Sequence, residues 1–223
     1  MRRSLPFIIV VTVGVLTLGS GAVFYRSQRS SVLTLSKNHS ASGNDGDRSA
    51  HVLGPPNAPL TLEEFGDYQC PPCGNLAEPL RQLEQDFSPK LRIIFRNFPL
   101  SVHAHAREAA LAAEAAGLQG KFWEMHDLLF RQQSDWSQAA DARKLFTAYA
   151  TLLGLNVERF KKDMEGQETQ ARVDADHAQG SSLGVKNTPT IFLDNHEVDP
   201  RMLNPVALRV EIEAALGTKK PSS

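Results

Sequence analysis

Two cysteines, Cys70 and Cys73, are the only ones in a chain of 223 residues, and only Pro71 and Pro72 stand between them. Such a pair admits three kinds of chemistry: a structural crosslink, half of a metal site, or a reversible dithiol–disulfide couple. A crosslink gains least from this spacing. Closing so short a ring restrains the unfolded chain by only about 2 kcal/mol, against about 4.7 kcal/mol for a hundred-residue loop. A tetrahedral metal site needs about four ligands, and the sequence offers no second CxxC and no HxxxH. His103 and His105 stand nearby, but at the edge of an Ala-rich stretch where a histidine is ordinarily a surface residue. No metal and no cofactor is expected.

The redox couple fits the surroundings better. A cysteine at the start of a helix faces unpaired N–H groups and the positive end of the helix dipole, and both stabilise a thiolate. A second cysteine one turn later can close a short disulfide and surrender it to another thiol. The flanking sequence supplies that geometry. LTLEEF, Leu60 to Phe65, reads as a buried strand, and PPCGNLAEPLRQLEQDF reads as a helix opened by Pro71 and Pro72, which a first turn tolerates. Leu76, Leu80, Leu83 and Phe87 recur along it at helical spacing. LRIIFRNF, from Leu91, is a second strand, so strand, helix and strand form a parallel unit.

Further on, HAREAALAAEAAGLQG, KFWEMHDLLF, ARKLFTAYATLLG and NVERFKKDME read as successive helices, the last with Asn156 as its N-cap. Another helical segment spans 168–183. TIFL is then a strand turning at Asp194-Asn195 into a short return, and PVALRVEIEAALG is a closing helix capped by Gly217. Trp123, Phe122 and Phe130 read as core. Glu63 and Glu64 lie side by side on an apolar strand. One must face inward, and Glu64 is the better candidate for the buried carboxyl, with Glu63 solvated.

In this order the features resemble the thioredoxin superfamily, and within it the DsbA-like thiol–disulfide oxidoreductases with a helical insertion. CPPC sits at the strand-to-helix turn, Thr188-Pro189 precedes TIFL where the family has its cis-proline loop, and Glu64 occupies the family's buried acidic position. The stretch from Phe95 to Phe130 resembles the family's insertion. The resemblance implies an α/β thioredoxin-like fold over 51–218 with a helical insertion at about 101–183. Cys70 would be the exposed, attacking sulfur and Cys73 the buried, resolving one. Glu64 would hold a raised pKa and exchange a proton with Cys73. Thr188 and Pro189 would present backbone to a bound substrate segment. Pro71-Pro72 departs from DsbA, which has histidine as the second residue of the pair.

Upstream, no charged residue lies between Arg3 and Arg26, a run long enough to cross roughly 30 Å of hydrocarbon as a helix. It reads as a retained membrane anchor over residues 5–25, or as a signal peptide cleaved after Ala22. The length of the run and its lack of a sharp end favour the anchor. Residues 27–50 are rich in Ser, Asn, Gly and Asp and read as a linker, and 219–223 as a tail. With a net charge of -1 and only 22% charged residues, the chain has no electrostatic footprint for nucleic acid.

The expectation is an exported, membrane-tethered enzyme with its domain on the extracytoplasmic (periplasmic) side. It would pass a Cys70–Cys73 disulfide to reduced or unfolded exported proteins and be reoxidised by a membrane redox partner that the resemblance implies. A reductase or isomerase of the same fold is the alternative within the class. A tethered peptide-binding or chaperone module is the alternative outside it.

Overall fold

Strands with both faces covered read as near-continuous apolar runs, and two such runs form the centre of this structure. In the computed structural model, which describes residues 51–218, β2 (Leu60–Gly66) and β3 (Leu91–Asn97) pair in parallel, with Leu60 opposite Leu91 and Glu64 opposite Phe95. β1 (His51–Leu53) flanks β3 antiparallel. β4 (Thr190–Leu193) lies antiparallel to the other side of β2, and β5 (His196–Glu197) completes the order β1-β3-β2-β4-β5. The β4–β5 turn has positive φ at Asp194 and Asn195 (47° and 67°), the pairing that two-residue hairpins require and Asp/Asn tolerate.

Helix α1 (Pro71–Phe87) lies on one face of the sheet. Its Leu76, Leu80 and Leu83 join Leu60, Leu62, Leu91 and Ile93 from the strands, and Leu208 and Ile212 from α8 (Pro205–Thr218). Gly217 does not end α8 as expected; the helix runs through it to Thr218, and Gly217 is not among the glycines with positive φ. Phe65, Phe98, Val185 and Phe192 form the opposite core.

Between β3 and β4 the chain is helical. It forms α2 (Ala106–Gly117), α3 (Phe122–Arg131), the short α4 (Gln133–Trp136), α5 (Ala142–Leu152), α6 (Val157–Met164) and α7 (Gln167–Ser182). A helix that is small and apolar all round belongs inside a bundle, and Ala106, Ala109, Ala110, Ala112, Ala113, Ala115 and Ala116 of α2 are all buried. Phe122 and Phe130 pack in the same core, with Trp123 partly buried against it. Asn156 caps α6 as its type allows, its side-chain oxygen accepting from the Arg159 N–H at 2.9 Å.

Buried polar groups tie this block to the sheet. Asp176 of α7 accepts from the Asn97 N–H at 3.0 Å and from Arg96 Nη1 at 3.3 Å. Glu114 of α2 accepts from Asn97 Nδ2 at 2.7 Å and pairs with His51 Nε2 at 2.9 Å. Glu63 is not the freely solvated residue the sequence implied. Its carboxylate faces the α7 side and accepts from Arg96 Nε at 2.8 Å.

Among the described residues no helix is long and apolar enough to cross a membrane. The expected anchor at 5–25, the linker at 27–50 and the tail at 219–223 lie outside those residues.

Gly180 shows where packing overrides propensity. Alanine in a helix interior is ordinarily better than glycine by about 1 kcal/mol. Here a Cβ would lie 2.7 Å from Phe98 Cδ2 and 2.8 Å from Phe65 Cδ1, and both rings are buried. Gly180→Ala should therefore destabilise the domain by about 1–3 kcal/mol, read as a lowered denaturation midpoint in urea.

Candidate active site

The site is built at the turn from β2 into α1. Cys70 is the N-cap residue, in extended conformation (φ −76°, ψ 119°), and Pro71 and Pro72 follow as the first helical residues. Prolines there cost no intrahelical hydrogen bond, because first-turn N–H groups have no helical acceptor. They do strip the helix end of two donors that would otherwise face the Cys70 sulfur.

The insertion clamps this turn. Gln133 Nε2 donates to the carbonyls of Tyr68 (2.7 Å) and Cys70 (3.0 Å). Gln69 donates to the Ser137 carbonyl (3.1 Å) and accepts from the His105 N–H (2.6 Å). Asp67 is buried and accepts from the N–H groups of Gln69 (2.7 Å) and Leu100 (2.9 Å) and pairs with His103 Nδ1 at 2.7 Å. Sequence reasoning missed Gln69, Gln133 and Asp67. Asp67-Tyr68-Gln69 is a readable Asx-turn, whereas Gln133 acts on residues more than sixty positions away and left no local signal.

Across from the turn, the Thr188-Pro189 bond is cis. The Cys70 thiol lies 3.2 Å from the Thr188 carbonyl oxygen as its donor. The Thr188 hydroxyl oxygen is buried with no hydrogen-bond partner. Cys70 is less open than the sequence implied, with 5% of its surface accessible, and Cys73 is fully enclosed at 0%. Both are free thiols.

Their acidities diverge. The Cys70 thiol is brought down to about 6, chiefly by the hydrogen bond from the Cys73 thiol, with the Thr188 side chain and the Cys73 N–H adding to it against the cost of burial. Asp67, a nearby negative charge, opposes the shift. The Cys73 thiol is pushed up, first by burial, then by giving its proton to Cys70 and by the charge of Glu64. Glu64 is 2% exposed, and burial together with the Cys70 charge raises it to about 8. Its Oε1 is buried with no hydrogen-bond partner. A carboxyl in that state is an acid at neutral pH, with a proton to give.

Beside Cys70 lies an open groove of about 640 Å³, walled by Pro72 and Leu76 of α1, Val185, Thr188 and Pro189 of the cis-proline loop, Leu203, and Pro205 at the start of α8. Among the described residues no group of three or more His, Cys, Asp or Glu side chains is gathered to hold a metal.

A family model described as thioredoxin matches residues 47–207. The chain belongs to the thioredoxin family. Its architecture is that of a thioredoxin-like oxidoreductase from Silicibacter pomeroyi, with a TM-score of 0.66 and 27% identity over 79% of this chain and 100% of that one. It is equally that of oxidised BdbD from Bacillus subtilis, with a TM-score of 0.68 and 26% identity over 78% and 97% of the two chains. A curated relative, the Na(+)/H(+) antiporter NhaA 1 of Salinispora arenicola, is 42% identical over 152 residues, which are 67% of this chain and 22% of that protein. The chain thus spans about a fifth of the length of the curated relatives it matches. It is a thioredoxin-family chain with the fold of these two solved structures.

Two outcomes follow from these acidities. Thiolate absorbance of the reduced protein should rise with a midpoint near pH 6 from Cys70, and Pro72→His, which adds a cation at the helix end, should move that midpoint lower. Stability should also respond to Glu64. A raised carboxyl contributes stability that is complete below its unfolded value of 4.5 and is lost as pH rises through about 8. The depressed Cys70 thiol acts in the opposite sense, since its contribution is lost as pH falls through about 6. The difference between variants isolates the carboxyl. Chemical denaturation should show Glu64→Gln gaining on the wild type between pH 4.5 and 8, by an amount on the order of a few kcal/mol.

Proposed function

We propose that the protein is a thiol–disulfide oxidoreductase that passes the Cys70–Cys73 disulfide to other proteins outside the cytoplasm. The observation that carries this reading is the placement of two free thiols at one helix start, Cys70 at the cap 3.2 Å from the Thr188 carbonyl and Cys73 enclosed one turn inside, and their acidities diverge with it. A substrate thiolate attacks Cys70 Sγ, the Cys70–Cys73 bond breaks, and its electron pair leaves on Cys73 Sγ, which is protonated. A second substrate thiolate then attacks the substrate sulfur of the mixed disulfide and releases Cys70 as a thiolate. The substrate is oxidised by two electrons and the enzyme becomes the dithiol.

Oxidation is favoured over reduction because the reduced form is the stabilised one. Holding Cys70 as a thiolate near neutrality makes it a good leaving group and raises the potential of the couple. The groove beside Cys70 supports a polypeptide substrate. An extended segment can pair with the backbone at Thr188, as an added strand does, while side chains settle against Leu76, Val185 and Leu203. In this reading residues 5–25 hold the domain at the membrane or are cleaved during export. Reduced or unfolded exported proteins are the substrates, and a membrane redox partner restores the disulfide. Glu64 supplies the proton to Cys73.

The oxidised protein should convert a reduced, unfolded substrate stoichiometrically. Cys70→Ser should abolish the reaction, and Cys73→Ala should accumulate a mixed disulfide at Cys70 that mass spectrometry can identify. A Cys70→Ser protein that still oxidises the substrate would defeat the reading. Glu64→Gln should slow reduction of the disulfide at pH 7 by about tenfold or more, the scale of a lost general acid.

A further inference from the structure

A buried acid that works in every turnover has to exchange protons with solvent, and Glu64 is sealed on most sides. On the sheet β3 and β4 flank it, with Phe95 and Ile191 opposite, and α1 and α3 cover it. One small cavity, of about 10 Å³, reaches it. That is about the least space that takes one water, which also needs two to four polar partners. Most of the wall is apolar: Leu53, Ala77, Leu80, Ile93, Phe95 and Trp123. Four members are not, namely Glu64, His126, Arg81 and Asp127.

These four are differently placed. Glu64 Oε1 is the unpartnered buried atom at the inner end. His126 is committed to Tyr68, its Nδ1 lying 3.1 Å from the hydroxyl. Burial holds its ring neutral, with the pKa brought down to about 3. Arg81 and Asp127 form a two-point pair, Nη2 to Oδ2 at 2.6 Å and Nε to Oδ1 at 3.2 Å. Their side chains are 25% and 26% exposed. The pair therefore touches the cavity on one side and solvent on the other.

We propose that Glu64 exchanges its proton with solvent through this cavity, by one water that links its carboxyl to Asp127 at the outer wall. The inference rests on Glu64 being the proton donor to Cys73. When a thiolate opens the disulfide, the electron pair left on Cys73 Sγ takes the Glu64 proton and leaves a carboxylate. The water returns a proton to that carboxylate and is itself resupplied from Asp127, which takes its proton from bulk solvent. No electron moves in these transfers, and one proton passes from solvent to Cys73. The Asp127 carboxyl suits the outer position because partial burial raises it, against the lowering by Arg81 and Arg131 and with Glu78 adding to the rise. Arg81 keeps the carboxyl facing the cavity mouth. Asp127 touches neither sulfur, so its part is to relay.

The test uses the full-length oxidised chain, reduced by excess dithiothreitol in stopped flow and followed by tryptophan fluorescence. Asp127→Asn should slow the reduction at pH 7 about fivefold or more. Imidazole, at constant pH and ionic strength, should restore the rate as its concentration rises, because a small buffer can replace a surface proton carrier. Ala77→Val, which grows into the cavity from α1, should slow the reaction equally and resist imidazole. If both variants react at the wild-type rate while Glu64→Gln is slow, the route is wrong and the donor role of Glu64 stands. An Asp127→Asn rate that is slow but indifferent to imidazole would make the residue merely structural and overturn the relay. If Glu64→Gln itself reacts at the wild-type rate, the donor role falls, and the relay with it.

Discussion

The hydrogen bond from the Cys73 thiol to the Cys70 sulfur is the interaction on which the chemistry depends. That contact is the largest cause lowering Cys70 and, after burial, a cause raising Cys73, so the pair holds one acidic thiol and one that keeps its proton. The bond exists because the two residues are the cap and the third position of one helix, where the chain itself fixes their separation. Pro71 and Pro72 sharpen the dependence. They remove two N–H groups that would share the work, so the thiolate leans on Cys73, through thiol and N–H, and on Thr188 from the opposite loop.

Holding those parts together is the task of the rest of the domain. The strand-to-helix turn would be mobile alone. Asp67, Gln69 and Gln133 pin it to the segment after β3 and to the insertion with hydrogen bonds of 2.6–3.1 Å. The insertion is in turn tied to β3 through Glu114, Asn97 and Asp176, all buried. Such groups are costly unless paired, and here most of their hydrogen-bonding capacity is met across elements. They add less to stability than to fixing how the helical block sits on the sheet. Among the described residues three buried side-chain oxygens are left without a partner, Asn97 Oδ1, Thr188 Oγ1 and Glu64 Oε1, and the last belongs to the carboxyl proposed to give Cys73 its proton.

Much of this was legible in the sequence, for a physical reason. Periodicity and end signals are local, so β2, α1, β3, the run of helices and the Asp194-Asn195 hairpin could be placed from residue types alone. The Asn156 cap and the inward-facing Glu64 belong with them. What escaped depends on contacts distant in the chain. β1 is three residues long and forms only because β3 offers an edge. Gln133 sits on a single turn of helix and earns its place through Tyr68 and Cys70. Glu63 reads as a solvated strand residue until Arg96 and α7 close over it. The Gly217 cap failed because a glycine near a helix end permits a left-handed turn without requiring one. The accessibility of Cys70 also needed the fold, since the cis-proline loop that covers it lies 118 positions away.

At neutral pH Cys70 should be a thiolate while Cys73 keeps its proton. The pH dependence of the equilibrium reduction potential, titrated against a glutathione buffer, tests it most directly. Reduction that takes up two protons with two electrons changes the potential by about 59 mV per pH unit, and one that takes up a single proton by about 30 mV. The slope should be the steeper one at acid pH and should break to the shallower one near pH 6, where Cys70 ionises. A slope that stayed steep to pH 8 or beyond would mean that Cys70 is an ordinary thiol, and the opposed acidities on which the site rests would not exist.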